Sequence, residues 1–161
     1  MKAKTVNTII ITTHDSLCPV KGGGALRTLS VIEEMKNRFL KVIVIAPFDL
    51  KASEQNNALY ISLPQPRKER SQILSALKFN FRLALRLMPI LGQTDVLFAH
   101  NTIARIWLPF FKKTFKRLKF ILDITDIHAE YLPIGKRNIA EIAATPFLLW
   151  YEYMIIKSAD R

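Results

Sequence analysis

The sequence predicts an α/β protein whose parallel sheet is covered by helices on both faces, and three observations lead there. A β-branched run, Val6 to Thr13, passes through a glycine-rich stretch straight into a helix-periodic segment. A second run, Lys41 to Pro47 (KVIVIAP), is continuously apolar, as expected for a strand buried on both faces. Strand-like and helix-like segments then alternate along the chain, the spacing that βαβ units with right-handed crossovers produce. Ligands in such sheets sit beyond the carboxyl ends of the strands.

Element by element, Val6 to Thr13 is a buried strand ended by His14-Asp15-Ser16. After the glycines, Leu26, Leu29, Ile32 and Met35 recur every three residues, which predicts an amphipathic helix packed on one side. Lys41 to Pro47 completes a βαβ unit. Phe48 to Asn57 is polar and reads as loop, Ala58 to Leu63 as a strand, and Pro64-Gln65-Pro66 as a rigid break. Ser71 to Met88 is helical, ended by Pro89 and Gly92, with Ile73, Leu74, Leu77, Phe81, Leu85 and Met88 as its apolar face. Asp95 to His100 is a fourth strand, Asn101 to Phe111 a helix or helical turn, and Phe120 to Ile124 a fifth strand. Ile139 to Lys157 is helical, with Pro146 marking a kink or a division into two helices.

A chain of 161 residues, half of them apolar, is long enough to bury one proper core without disulfide or metal staples. Cys18 is the only cysteine, which excludes an intrachain disulfide framework and fits a reducing compartment. The three histidines lack metal-ligand spacing, so neither a metal nor another cofactor is expected. The N-terminus lacks the pattern of a signal peptide, and no stretch approaches the uninterrupted apolar length of a membrane span. The expected location is the cytoplasm, or the inner face of a membrane.

The net charge of +11 favours an anionic partner, whether lipid surface, nucleic acid or phosphorylated ligand. Two clusters carry much of it. Lys78, Arg82 and Arg86 form a stripe of residues four apart, and Lys112, Lys113, Lys116 and Arg117 form a second group. Interleaved with Phe79, Phe81, Phe110, Phe111 and Phe115, they can rest on anionic headgroups; equally, the first stripe can be the solvated edge of a core-packed helix. No helix-turn-helix, zinc or RNA-binding motif accompanies the charge, so no nucleic-acid partner is expected, although a basic nucleic-acid-binding module is an alternative reading.

Three places reach the carboxyl edge of the predicted sheet: the loop His14 to Gly24, the end of the fourth strand at His100 and Asn101, and the segment Asp123 to Glu130. Gly22, Gly23 and Gly24 are three of the chain's five glycines and precede a helix, whose free amides attract anions. They make either a ligand cradle or a flexible connection that uses positive φ. Arg27, in the helix's first turn, either pairs with phosphate or solvates the surface. Asp126 and His128 place a carboxylate and an imidazole where both can address a hydroxyl; otherwise Asp126 is an N-cap or turn residue and His128 a loop residue without a role.

Pro19-Val20-Lys21-Gly22-Gly23-Gly24-Ala25-Leu26-Arg27 is similar to the Pro-x-x-Gly-Gly-(Gly/Ala)-x-x-Arg loop of the GT-B glycosyltransferases, in particular the large retaining family that includes lipopolysaccharide and polyprenyl-linked sugar transferases. Asp95 to His100 resembles that family's Asp-initiated strand. Leu122 to Glu130 looks like its Asp-Leu-Trp-Pro-Glu segment, with Asp126 and Glu130 matching, and Trp150 to Arg161 resembles its helix that carries a Glu and ends Ala-Asp. The likeness runs in order along almost the whole chain. His128-Ala129 replaces the usual Trp-Pro, and Asn37-Arg38-Phe39 stands where a Gly-His is usual.

The resemblance implies a Rossmann-like three-layer sandwich forming the N-terminal, acceptor-side half of a GT-B architecture, with the donor-binding domain absent from residues 1–161. It implies sugar transfer from a nucleotide-sugar donor to an acceptor, here expected to be lipid-linked, by an enzyme of which this chain alone is inactive. Asp126 and His128 would handle the acceptor or its proton. Gly22, Gly23, Gly24, Arg27, His100, Asn101 and Glu130 would contact donor or acceptor. Nucleotide-sugar epimerases share the two-domain design and give an alternative chemistry on the same fold.

Overall fold

The computed structural model describes residues 8–20, 22–47, 53–55, 58–64, 72–100, 107–124 and 139–160. Six strands form one sheet: β1 (Thr8–Thr12), β2 (Lys41–Pro47), β3 (Ser53–Gln55), β4 (Ala58–Leu63), β5 (Val96–His100) and β6 (Lys119–Asp123), in the order β3-β4-β2-β1-β5-β6. Five of them run parallel, and the short edge strand β3 pairs antiparallel with β4. The helices are α1 (Gly22–Lys36), α2 (Gln72–Leu91), α3 (Leu108–Thr114) and α4 (Ile139–Ser158).

Alternation along the strands builds two cores. Ile9 and Ile11 of β1 join Val42 and Val44 of β2 under Ala25 and Ile32 of α1. Ile10 points the other way, with Ile43 and Ile45, into a cluster containing Phe79, Leu83 and Leu87 of α2 and Leu108 and Phe111 of α3. Helices thus cover both faces, which is why β1 and β2 are continuously apolar. The resulting three-layer sandwich is Rossmann-like.

The chain steps outward from β1 through β2 to β4, then returns to β5 and continues to β6 on the other side. α1 serves the first direction on one face and α2 the return on the opposite face, as right-handed crossovers require. The connections leaving β1 and β5 therefore diverge, and the crevice between their carboxyl ends is where such a sheet receives a ligand.

Several boundaries differ from the sequence reading. The polar stretch 48–57 contains β3, whose register sets Ser53 opposite Tyr60 and Gln55 opposite Ala58. α2 runs through Pro89 to Leu91: a proline so near the end removes only one helical hydrogen bond, while Leu91 is fully buried beyond it. The helix stops where Thr94 Oγ1 donates to the Ile90 carbonyl at 2.7 Å. α3 begins at Leu108, with Pro109 in its first turn, and takes in Lys112 and Lys113; residues 101–106 lie outside the described residues. α4 is a single helix that includes Pro146.

The packing of two helices also departs from expectation. On α1, Ala25, Thr28 and Ile32 are buried, Leu29 and Met35 pack partly against the core, and Leu26 points outward. Thr28 can be buried because its Oγ1 donates to the Gly24 carbonyl at 2.9 Å. On α2 the face is reversed. Phe79, Leu83, Leu87 and Leu91 enter the core, whereas Leu74, Leu77, Phe81, Leu85 and Met88 are 47–57% exposed.

Candidate functional site

β1 ends at the crevice in Thr12, which like the following Thr13 is buried, and Thr13 N–H donates to the Ile45 carbonyl at 3.2 Å. The following loop is tied to the same strand end, since Leu17 N–H donates to the Pro47 carbonyl. It then closes on itself through a Leu17–Val20 bridge around a cis Cys18–Pro19 peptide. Within it, Asp15 N–H donates to Thr13 Oγ1 at 3.1 Å, a short turn that holds the Asp15 carboxylate over the end of the sheet.

Gly22 opens α1 with φ +84°, a conformation that side-chain-bearing residues rarely adopt. Gly24 is required for another reason. A Cβ there would lie inside contact distance of Asp15 Oδ2 and 3.2 Å from His100 Nε2, so the start of the helix sits against both side chains. A Cβ on Gly23 would meet open space. The glycines thus form the helix's first turn, whose amides have no partner within the helix.

His100, the last residue of β5, is fully buried. Its Nδ1 lies 3.0 Å from Asp123 Oδ2 at the end of β6, and its Nε2 lies 3.6 Å from Asp15 Oδ2. Arg27 Nε and Nη2 donate to the two oxygens of Asp123 at 2.8 and 2.7 Å. Burial works against ionising Asp123, but the hydrogen bonds from Arg27 and His100, with their charges, outweigh it and hold the carboxyl below its usual value. The same pair raises the Arg27 guanidinium, chiefly through the hydrogen bond to Asp123.

An ionised Asp123 can only accept, so His100 Nδ1 carries the proton that joins them. Nε2 is the ring nitrogen that remains for another partner. It is buried, 3.6 Å from the nearest carboxylate oxygen, and makes no hydrogen bond among the described residues. Ser16 Oγ, buried in the adjoining loop, is likewise unsatisfied among them. Buried polar atoms are ordinarily satisfied, and of these two the His100 nitrogen lies against Gly24 in the first turn of α1. No three His, Cys, Asp or Glu among the described residues are arranged to hold a metal ion.

Of the residues named from the sequence, Gly24 lies against His100, and Arg27 and His100 both hold Asp123, while added side chains at Gly22 and Gly23 would meet open space. Asn101, Asp126, His128 and Glu130 lie outside the described residues. Two residues join the constellation that the sequence analysis did not nominate, Asp15 and Asp123. The available signal was a lone carboxylate closing an apolar strand: Asp123 ends KFILD, where an acid is tolerated only if it is paired.

The two basic clusters lie on α2 and in and after α3. Lys78, Arg82 and Arg86 are exposed on α2, and Lys113, Lys116 and Arg117 are exposed in and after α3. Lys112 is engaged internally, with the Asp160 carboxylate and the Leu118 carbonyl. Phe79 and Phe111 are core residues, which leaves Phe81 and Phe110 as the outward phenylalanines of the two clusters. Compared with known proteins, the chain matches no family model and no curated sequence.

Proposed function

We propose that this chain is the N-terminal, acceptor-side domain of a retaining GT-B glycosyltransferase, which moves a sugar from a nucleotide-sugar donor to a lipid-linked acceptor at the cytoplasmic face of a membrane. The observation that carries the reading is the approach of Gly24, in the first turn of α1, to the buried His100, whose partner Asp123 also holds Arg27, at the sheet's switch point. Amides at a helix start favour a phosphate or a sugar hydroxyl. His100, its Nδ1 held by Asp123, offers Nε2 as a hydrogen-bonding atom to a hydroxyl, and Arg27 adds a cation at the rim. Asp126 and His128 are assigned to acceptor binding or proton handling, with no covalent step.

The test is Gly23→Val in the enzyme that contains this chain, assayed for transfer of labelled sugar to a lipid extract. The backbone leaves room for the added side chain, so the melting temperature stays within a few degrees while transfer is lost. Retained transfer overturns the reading. Epimerisation of free nucleotide sugar, without transfer, replaces it with the isomerase chemistry of the same fold.

A further inference from the structure

α2 presents three rows to its surroundings. At about 100° per residue, Phe79, Leu83 and Leu87 share the side that enters the core. Leu74, Leu77, Phe81, Leu85 and Met88 share a second side, and each is about half exposed. Along the outer edge of that second row run Lys78, Arg82 and Arg86, also exposed. Single exposed apolar side chains need no explanation, but five in one row on a 20-residue helix do.

The row continues beyond the helix. Ala84, which lies between the core row and the exposed one, lines a small apolar recess with Trp107, Leu108 and Phe111, so α3 flanks α2 on the side of the exposed apolar row. There α3 adds outward-facing Trp107 and Phe110, followed by exposed Lys113 and Lys116. The two helices form one outer layer in which apolar side chains are bordered by cations. No helix among the described residues is long and apolar enough to cross a membrane.

We infer that this outer layer, led by α2, docks on an anionic lipid surface, with α2 lying in the plane of the interface. Leu74, Leu77, Phe81, Leu85 and Met88 would enter the acyl boundary while Lys78, Arg82 and Arg86 meet the phosphates beside it. A bilayer of anionic lipids supplies both needs along the length of such a helix: hydrocarbon beneath one row and negative charge along its edge. The net charge of +11 provides the longer-range attraction. Trp107 has the amphipathic ring favoured at that depth. This surface is formed without any residue of the crevice and stands independently of the proposed transfer chemistry.

The test is sedimentation of the chain with vesicles of phosphatidylglycerol and phosphatidylcholine, or of phosphatidylcholine alone, at low and high salt. The wild type pellets with the anionic vesicles and less so as salt rises. Replacing the outward row (Leu77→Ser, Phe81→Ser and Leu85→Ser together) weakens binding by roughly tenfold or more with an unchanged far-ultraviolet spectrum, because no core residue is touched. Arg82→Glu with Arg86→Glu abolishes it. Leu26→Ser, an equally exposed apolar site under the opposite sheet face, binds as the wild type does. Failure of the wild type to pellet at low salt overturns the inference, as does a triple serine variant that pellets normally. A wild-type dimer dissolved by the triple variant, without vesicle binding, makes a second copy the occupant and also overturns it. Sugar transfer enters none of these arms, so the two proposals fail separately.

Discussion

Arg27 and Asp123, 96 residues apart in the sequence, are joined by two parallel hydrogen bonds of 2.8 and 2.7 Å. The pair spans the crevice: Arg27 stands in the second turn of α1, and Asp123 closes the edge strand β6. Through Asp123 Oδ2 the link reaches buried His100, so one carboxylate orients both a surface cation and an interior imidazole. Bidentate geometry fixes direction as well as distance, which a lysine at position 27 could not reproduce.

Asp123→Ala is expected to cost about 1–3 kcal/mol, because it strands the buried His100 Nδ1–H as well as breaking the pair. The pH dependence has a defined sign. A carboxyl held below its unfolded value stabilises the fold above pH about 4, and that contribution is lost as pH falls through the folded value. Denaturant unfolding between pH 7 and pH 3 should therefore show a shallower acid limb for Asp123→Asn than for the wild type.

The three glycines should separate in an alanine series. Gly24→Ala drives a Cβ onto Asp15 Oδ2 and is expected to lose about 1–3 kcal/mol, with the loop after β1 shifting to relieve it. Gly22→Ala forces a side chain into positive φ and costs about 1–2 kcal/mol. Gly23→Ala meets nothing, and by lowering the entropy of the unfolded chain is neutral or stabilising by up to about 1 kcal/mol. Melting temperatures of the three variants check the order.

The sheet was legible because its strands are short, β-branched and apolar on both sides, so β1, β2, β4 and β5 are found within a residue or two of their sequence positions. β3 was not, since Ser53-Glu54-Gln55 has no apolar alternation and is held by pairing with β4 alone. The face of α2 was misread for a physical reason. Its core row is interrupted by Asn80, which is buried because its Nδ2 donates to the Ala76 carbonyl at 2.8 Å, whereas the outward row is unbroken and looks more like a core. Around the crevice, the place of His100 at a strand end and of Gly22–Gly24 at a helix start was legible. The Asp123 link to Arg27 was not, because it depends on strand order, which periodicity does not carry.

Asp160 ties the end of α4 to the sheet. Its Oδ2 accepts from Phe120 N–H at 2.7 Å and pairs with Lys112, while its own N–H donates to the Phe120 carbonyl at 2.8 Å. Burial opposes ionisation, yet the bonds from Lys112 and Phe120 keep the carboxyl below its usual value. Asp160→Ala is expected to cost about 1 kcal/mol, with faster amide exchange concentrated at Phe120 on the edge strand. Exchange that rises evenly over the sheet would argue against this anchoring role.

The reversed face of α2 makes a sharp contrast between chemically alike residues. Leu83 is 3% exposed in the core row and Leu77 is 48% exposed in the outward row. Leu83→Ala removes buried methyl groups and leaves a cavity beside Leu87 and Phe111, so it should destabilise the fold by about 2–5 kcal/mol. Leu77→Ala gives up only a partly solvated side chain on a helix that tolerates alanine well, and should stay within about 0.5 kcal/mol of the wild type. Had the unbroken row Leu74 to Met88 faced the sheet, the two costs would be exchanged. Chemical denaturation of the pair therefore decides which row the core holds, before any vesicle is added.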